Sequence, residues 1–378
     1  MNPARPAGAS GPGPSARDGA HDARAQPPAR LTRVLQVMAG ARFGGAEAFF
    51  VRLNLALAGA GVKQRAVIRR HPERAAELRA GGVEVAELPF GGPLDVQTRR
   101  ALRREIAAFD PGIVLSWMNR ATRFVPTSES CKGAGGFVHV GRLGGYYDLK
   151  YYRNCGCLIG NTRDIVDYVI GSGWPEERVH YLPNFVDAAK SPPARRAAFA
   201  TPEGAPLLLA LGRLHVNKGF DVLIEALVEI PDAHLWLAGE GPLRGELEGR
   251  AGRLGLASRV HFLGWRTDVA SLFAAADMLV CPSRHEPLGN VVIEAWAQNV
   301  PVIAAASAGP TALIENDENG LVVAIDDKRA LAGAIGRLGG DAALSARLVE
   351  GGRKAFEAEF RKDAVLARYL EFFAKVTG

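Results

Sequence analysis

The feature that most constrains this chain is a pattern that runs through it twice. Short β-rich apolar runs alternate with amphipathic stretches of about 10–15 residues, starting at Leu31 and starting again at Leu207. In the first half the candidate strands include Val34–Met38, Val83–Val85, Ile113–Leu115 and Phe137–Val140. In the second they are Leu207–Leu211, Leu235–Leu237, Val260–Phe262, Met278–Val280 and Val302–Ala304. Strands that alternate with helices are joined by crossovers and pair in parallel, so the predicted class is α/β with two Rossmann-like domains.

The expected division is a tail over 1–30, a first domain over 31–187, a second over 204–355 and a closing helix over 356–378. A Pro/Ala/Arg-rich stretch to about residue 203 separates the domains, and Leu366, Tyr369, Leu370 and Phe373 give the closing helix one apolar face. A chain of 378 residues is long enough for each domain to bury its own core. The first 30 residues hold eight Ala, six Pro and four Gly, too little apolar surface to offset the entropy of ordering, so this segment is expected to be disordered. It also lacks the apolar centre of a secretory signal, and no apolar run reaches the length of about 18 residues that a membrane-spanning helix needs. Four cysteines, with Cys155 and Cys157 lacking a second pair at zinc-site spacing, read as reduced thiols. The expectation is a cytoplasmic protein.

Charge is divided unevenly. Residues 31–185 carry 21 Lys and Arg against 14 acids, whereas 186–378 carry 21 against 24. The first half is therefore the one expected to meet something anionic. Arg99, Arg100, Arg103 and Arg104 fall on one side of a predicted helix whose other side carries Leu102, Ile106 and Phe109. Such a helix reads either as a solvated surface element or as one that rests on anionic lipid.

In open parallel sheets ligands bind beyond the carboxyl ends of the strands, where turns lead into helices and backbone N–H groups face anions. Two turns stand there, Gly40–Glu47 after the first strand and Gly212–Gly219 after the first strand of the second domain. Neither has the glycine spacing of a dinucleotide fingerprint or a Walker motif, which disfavours a nicotinamide dehydrogenase or a P-loop nucleotidase. Gly44 and Gly45 read equally as a plain turn or as a ligand loop. Gly212-Arg213 with Lys218 reads as a surface loop or as two cations at a backbone-amide turn that suits a diphosphate. The most specific segment is Ser283–Ala297: a loop carries Glu286, Gly289-Asn290 opens a helix, and Glu294 follows on it with seven residues between the two acids.

These segments together resemble a retaining family 4 glycosyltransferase of the glycosyltransferase-B fold, over about residues 31–375. The resemblance rests on five ordered blocks: Gly212-Arg213 with Lys218, Ala238–Leu243, Phe262–Trp265, Ala276-Asp277, and Pro282-Ser283 leading to Glu286 and Glu294. It implies two Rossmann-like domains facing across a cleft, with the C-terminal helix crossing back to the first. It also implies that Arg213 and Lys218 neutralise the diphosphate of a nucleotide-sugar donor, with Glu286 orienting the sugar. Backbone amides at Leu288, Gly289 and Asn290 would receive phosphate or sugar. Glu294 would bind the ribose, Gly264 the base, and Gly44 and Gly45 would approach the phosphates from the opposite wall. Glu286, Arg213 and Lys218 would carry catalysis, with no cofactor and no metal, since cations and helix-end amides can stabilise the departing diphosphate.

The first domain departs from the family pattern. Its later loops carry Asn119 and Arg120 after one strand and Arg142, Tyr147 and Asp148 after another, with His139 inside the strand, so no catalytic His is assigned and these five are the acceptor-side candidates. The expected function is transfer of a sugar to a cell-envelope glycan or glycolipid, with lipopolysaccharide core or a surface polysaccharide favoured and no nucleic-acid partner. The alternatives are an epimerase or phosphorylase on the same fold, or a non-catalytic sugar-nucleotide binding module.

Overall fold

The structure, a computed structural model, describes residues 33–42, 44–92, 94–130 and 136–377. The expectation of disorder over 1–30 and Cys131 lie outside the described residues.

Thirteen strands form two parallel sheets among the described residues. The first contains β1 (Arg33–Met38), β2 (Lys63–Arg69), β3 (Glu84–Leu88), β4 (Ile113–Trp117), β5 (Val138–Leu143), β6 (Cys157–Gly160) and β7 (Val179–Tyr181), in the order β3-β2-β1-β4-β5-β6-β7. The second contains β8 (Leu207–Leu211), β9 (His234–Ala238), β10 (Val260–Gly264), β11 (Met278–Cys281), β12 (Val302–Ala305) and β13 (Leu321–Val323), in the order β10-β9-β8-β11-β12-β13. The unbroken apolar run of β8 follows from burial on both faces. Leu208 and Ala210 enter one core, and Leu207 and Leu209 enter the other.

In each sheet the first strand is flanked by the second and fourth, so the chain reverses its direction of winding between β1 and β4 and again between β8 and β11. These two switch points leave a crevice at the carboxyl ends of the strands. The loops that the sequence singles out, Gly40–Gly45, Gly212–Gly219 and Pro282–Gly289, all leave the sheets there.

The chain passes between the two cores twice. Phe185 packs in the first core and Val186 in the second. On the return, Phe360 belongs to the second core, while Val365, Tyr369, Phe372 and Phe373 belong to the first. The helix Lys362–Thr377 thus lies on the first domain, and the preceding helix Ala342–Glu359 packs against Asn290–Gln298 of the second. No helix among the described residues is long and apolar enough to cross a membrane.

Candidate functional site

On the second domain, the Gly212–Gly219 loop and the Pro282–Gly289 loop are fastened together. Arg284 donates from Nη1 to Val216 O at 2.8 Å, forks onto Asp221 at 2.9 and 2.7 Å, and reaches Asp326 from Nε at 2.6 Å. The backbone N–H of His285 donates to Asn217 O at 3.0 Å. Glycine is required where the loops touch: a Cβ on Gly219, whose φ is +62°, would lie 2.1 Å from Pro282 O. The result is that Lys218 Nζ bonds to Glu286 Oε2 in a half-buried ion pair. Glu286 also accepts from Gly289 N at 3.3 Å, and its carbonyl receives Gly309 N at 2.7 Å, so a third loop supports it from below.

Behind Glu286 the helix Asn290–Gln298 starts from Gly289, which sits in the left-handed region, with no side-chain cap and no acid in its first turn. Such an end carries a positive partial charge and favours an anion. Arg213 is exposed at the mouth of the same loop as Lys218. Gly212 lies against the Lys218 stem, since a Cβ there would be 3.3 Å from Cε. Gly264, at φ +68°, accepts from Gly239 N at 2.8 Å at the end of β10, and Leu288 is buried.

The first domain meets this face directly. A Cβ on Gly45 would be 3.0 Å from Asn290 Nδ2. Asn184 donates to Asn290 Oδ1 at 2.9 Å, and Arg52, on the helix Gly45–Gly59, donates to Glu294 Oε1 at 3.4 Å. Burial pushes the Glu294 carboxyl above the ordinary carboxylate range and the charge of Glu286 adds to this, while Arg52 opposes it. The Gly40–Gly45 loop is shaped by Glu47, whose carboxylate accepts from Ala41 N at 2.7 Å and fills the space where side chains on Gly40 and Gly44 would stand.

The acceptor-side candidates separate in space. Asn119 and Arg120 lie on a short helix that begins at Met118, a non-glycine residue at φ +59° and thus a point of backbone strain, and Asn119 Oδ1 is buried without a hydrogen-bond partner among the described residues. Tyr147 is half-buried, with its carbonyl accepting from Tyr168 OH at 2.8 Å, and burial raises its phenol pKa. Asp148 is occupied as the cap of a 3-10 turn, accepting from Lys150 N at 3.0 Å and pairing with the Lys150 ammonium.

Arg142 is not a loop residue. It is the penultimate residue of β5, 2% exposed, its guanidinium stacked over Phe49 and Trp117, and it donates to Tyr369 OH at 3.0 Å and to Asn184 Oδ1 at 2.5 Å. Expecting it to face an acceptor is corrected by this geometry: β5 runs three residues further than its apolar pattern shows and carries Arg142 into the core. His139 lies within β5, within hydrogen-bond distance (2.8 Å) of Ser116 Oγ, and burial pushes its pKa down to about 4. The apolar side of the helix Val96–Phe109 is likewise internal, with Leu102, Ile106 and Phe109 in the core, so those three cannot rest on lipid.

Sequence reasoning missed Arg52, Asn184 and Arg284. Each acts through a partner distant in sequence, and no local spacing marks such a pair.

Two family models match the chain, one described as Glycosyltransferase Family 4 over residues 43–190 and one as Glycosyl transferases group 1 over residues 205–341. The lipopolysaccharide core biosynthesis glycosyltransferase LpsE of Rhizobium meliloti (strain 1021) is 38% identical over 338 residues, 88% of this chain and 96% of that protein. Another such glycosyltransferase of the same organism, LpsD, is 36% identical over 336 residues, 87% and 95%. Among solved structures, Alr3699/HepE of Anabaena in complex with UDP and glucose superposes with a TM-score of 0.79 at 21% identity, over 91% of this chain and all of that one.

Proposed function

Because this chain belongs to glycosyltransferase family 4, we propose that it transfers a sugar, with retention of anomeric configuration and without a metal, from a nucleoside diphosphate sugar to a cell-envelope glycan, with the lipopolysaccharide core favoured. The observation that carries the reading is the half-buried Lys218–Glu286 pair at the open end of the Asn290–Gln298 helix, at the switch point of the second sheet. The lipopolysaccharide names of the two relatives that span nearly the whole chain support the acceptor class.

In this reading the diphosphate lies against the helix end, where Lys218 and the exposed Arg213 meet its oxygens. The bond between the sugar's anomeric carbon and the phosphate oxygen breaks, and an acceptor hydroxyl attacks on the same face. The leaving phosphate takes the hydroxyl proton, so no protein base is needed. Cations and amides already fixed around the phosphate stabilise the charge that develops there. Glu286 orients the sugar hydroxyls and holds Lys218 in place between turnovers. Glu294 accepts from the ribose hydroxyls, with Gly264 beside the base and Gly44 and Gly45 closing over the phosphates. On the acceptor side, Asn119 offers a carbonyl oxygen that has no partner among the described residues, and Arg120, Tyr147 and Asp148 border the same end of the first sheet.

We place the enzyme at the cytoplasmic face of the inner membrane, touching anionic lipid through the first domain. With Leu102, Ile106 and Phe109 internal, contact falls to Leu94, which is 92% exposed, to Val96, and to Arg99, Arg100, Arg103 and Arg104 beside them.

A thermal-shift panel of nucleotide sugars tests the donor. A ligand that binds only the native state adds about 2.7 kcal/mol at a hundredfold excess over its Kd, and the expected responder is a UDP-sugar, with the shift unchanged by EDTA. A panel without response contradicts the donor assignment, and a response that EDTA abolishes contradicts metal independence.

A further inference from the structure

We propose that the first domain carries a second binding site, apart from the donor crevice, that holds a phosphomonoester borne on a sugar of the acceptor. The inference rests on the glycosyltransferase reading above and names the acceptor's chemistry.

The site is a cavity of about 460 Å³ at the carboxyl ends of β1 and β2, lined by Gly40, Arg42, Arg69, Arg70, His71 and Arg74, with Glu73 as the one acid among the described residues that line it. That volume lies within the range of small-molecule sites, about 300–1,000 Å³.

Its floor is built. Arg74 is 5% exposed, and its Nη2 donates to Ala41 O at 3.0 Å and Arg42 O at 3.1 Å. His71 Nδ1 accepts from Arg74 N at 3.1 Å, which leaves Nε2 as the protonated nitrogen that donates to Arg42 O at 3.0 Å. On the far side of the loop Glu47 holds Ala41 N. The loop, the start of the helix Pro72–Ala80 and a buried guanidinium therefore form one rigid surface that needs no reorganisation to receive an anion.

Its walls are cationic, with Arg42 paired to Glu73 at 3.8 Å and two further arginines beside them. Arg69 and Arg70 are exposed and make no ion pair with any described residue, whereas Arg65 on the same strand is paired with Glu84 and with Glu105, and nearby Arg79 with Glu87. The protein neutralises the neighbouring arginines and leaves these two for a partner. Guanidinium forks match the tetrahedral oxygens of a phosphomonoester bidentately. The concavity suits a single sugar phosphate better than a flat bilayer.

Position ties the cavity to transfer. Gly40–Arg42 line it, and a few residues on, Gly45 touches Asn290 at the donor helix. An acceptor anchored by its phosphate on one side of this loop extends its sugar toward the donor on the other.

The test is isothermal titration of the full chain with glucose 6-phosphate, with glucose as control, and vesicle co-sedimentation with phosphatidylglycerol as a separate arm. The expected result is saturable binding of glucose 6-phosphate that weakens with salt, no binding of glucose, and a loss of affinity of about tenfold for each guanidinium removed in Arg69→Gln and Arg70→Gln. Arg70→Glu is a second variant of an exposed side chain and abolishes binding. Glucose 6-phosphate that binds the variants as well as it binds the original chain, or that does not bind at all, overturns the proposal. Vesicle binding that requires Arg69 and Arg70 without sugar-phosphate binding also overturns it, in favour of a lipid headgroup. The nucleotide-sugar thermal shift reads the donor site separately. Loss of that response with sugar-phosphate binding intact rejects the donor reading alone, and the converse rejects this site alone.

Discussion

The two sheets present the same strand arrangement at their switch points, β2-β1-β4 in one and β9-β8-β11 in the other, yet they treat polar side chains in opposite ways. In the second domain the charges stand on loops that Arg284 and close glycine contacts hold together, and Lys218 and Glu286 meet at the helix end. In the first domain two polar groups near the switch turn inward: Arg142 lies against the rings of Phe49 and Trp117, and Glu47 holds its own loop. At one crevice charged side chains stand on the loops at a helix end, and at the other Arg142 and Glu47 hold the surrounding chain in shape. A place at the end of a strand therefore does not by itself assign a role, because what decides is whether neighbouring loops leave the side chain a partner.

The largest effect should come from removing the pair that defines the second-domain crevice. Lys218→Ala and Glu286→Ala are each expected to lower kcat/KM by about 100- to 1,000-fold, the scale of losing one preorganised group at a developing charge. The double variant should cost much less than the product of the two, since each residue positions the other. Single-turnover transfer of a labelled sugar measures all three. Full activity in Glu286→Ala would break the comparison at its stronger side.

A buried guanidinium sharpens the other side. Arg142→Met removes donors from Asn184 Oδ1 and Tyr369 OH, and each buried group left unpaired costs about 1–3 kcal/mol. Denaturant unfolding should therefore show a loss of about 2–5 kcal/mol, while the acceptor KM measured below the transition stays near that of the original chain. A raised KM without loss of stability would return Arg142 to the acceptor.

How much of this was legible beforehand follows the same divide. The nine candidate strands all lie on or beside observed ones; central ones such as β8 stand out because burial on both faces favours an apolar run. The strands that went unread are β2, which begins with Lys63-Gln64-Arg65, and the short β6, β7 and β13, whose two to four apolar residues do not stand out from loops. In the second domain the spacing from Glu286 to Glu294 marked the loop and helix that the structure brings beside Lys218, since that geometry is local. Arg284 with Asp221, Arg52 with Glu294 and Asn184 with Asn290 are contacts made only by tertiary folding, so their residues carry no local signature. Arg142 reads as a loop charge because the sequence shows a cation after an apolar run and does not show the two aromatic faces that receive it.

The smallest effect concerns the ion pair in which the two faces share a charge. Burial raises the Glu294 carboxyl above its ordinary pKa, so the folded chain binds that proton more tightly than the unfolded chain does. Glu294 therefore lowers stability as pH rises from the ordinary carboxylate value through its raised one, and has no such effect below that window. Arg52 opposes the rise, and its removal must enlarge the loss. Arg52→Met should thus melt below the original chain at pH 7.5, by about 2 °C for a difference near 1 kcal/mol, with the gap closing as pH falls toward 4.5. In a Glu294→Gln background the charge is gone, and the same substitution should leave a gap that does not change with pH. A gap that is constant across pH in both backgrounds would mean that Arg52 contributes packing alone, and the two faces would then be joined only through Asn184 and the close approach of Gly45.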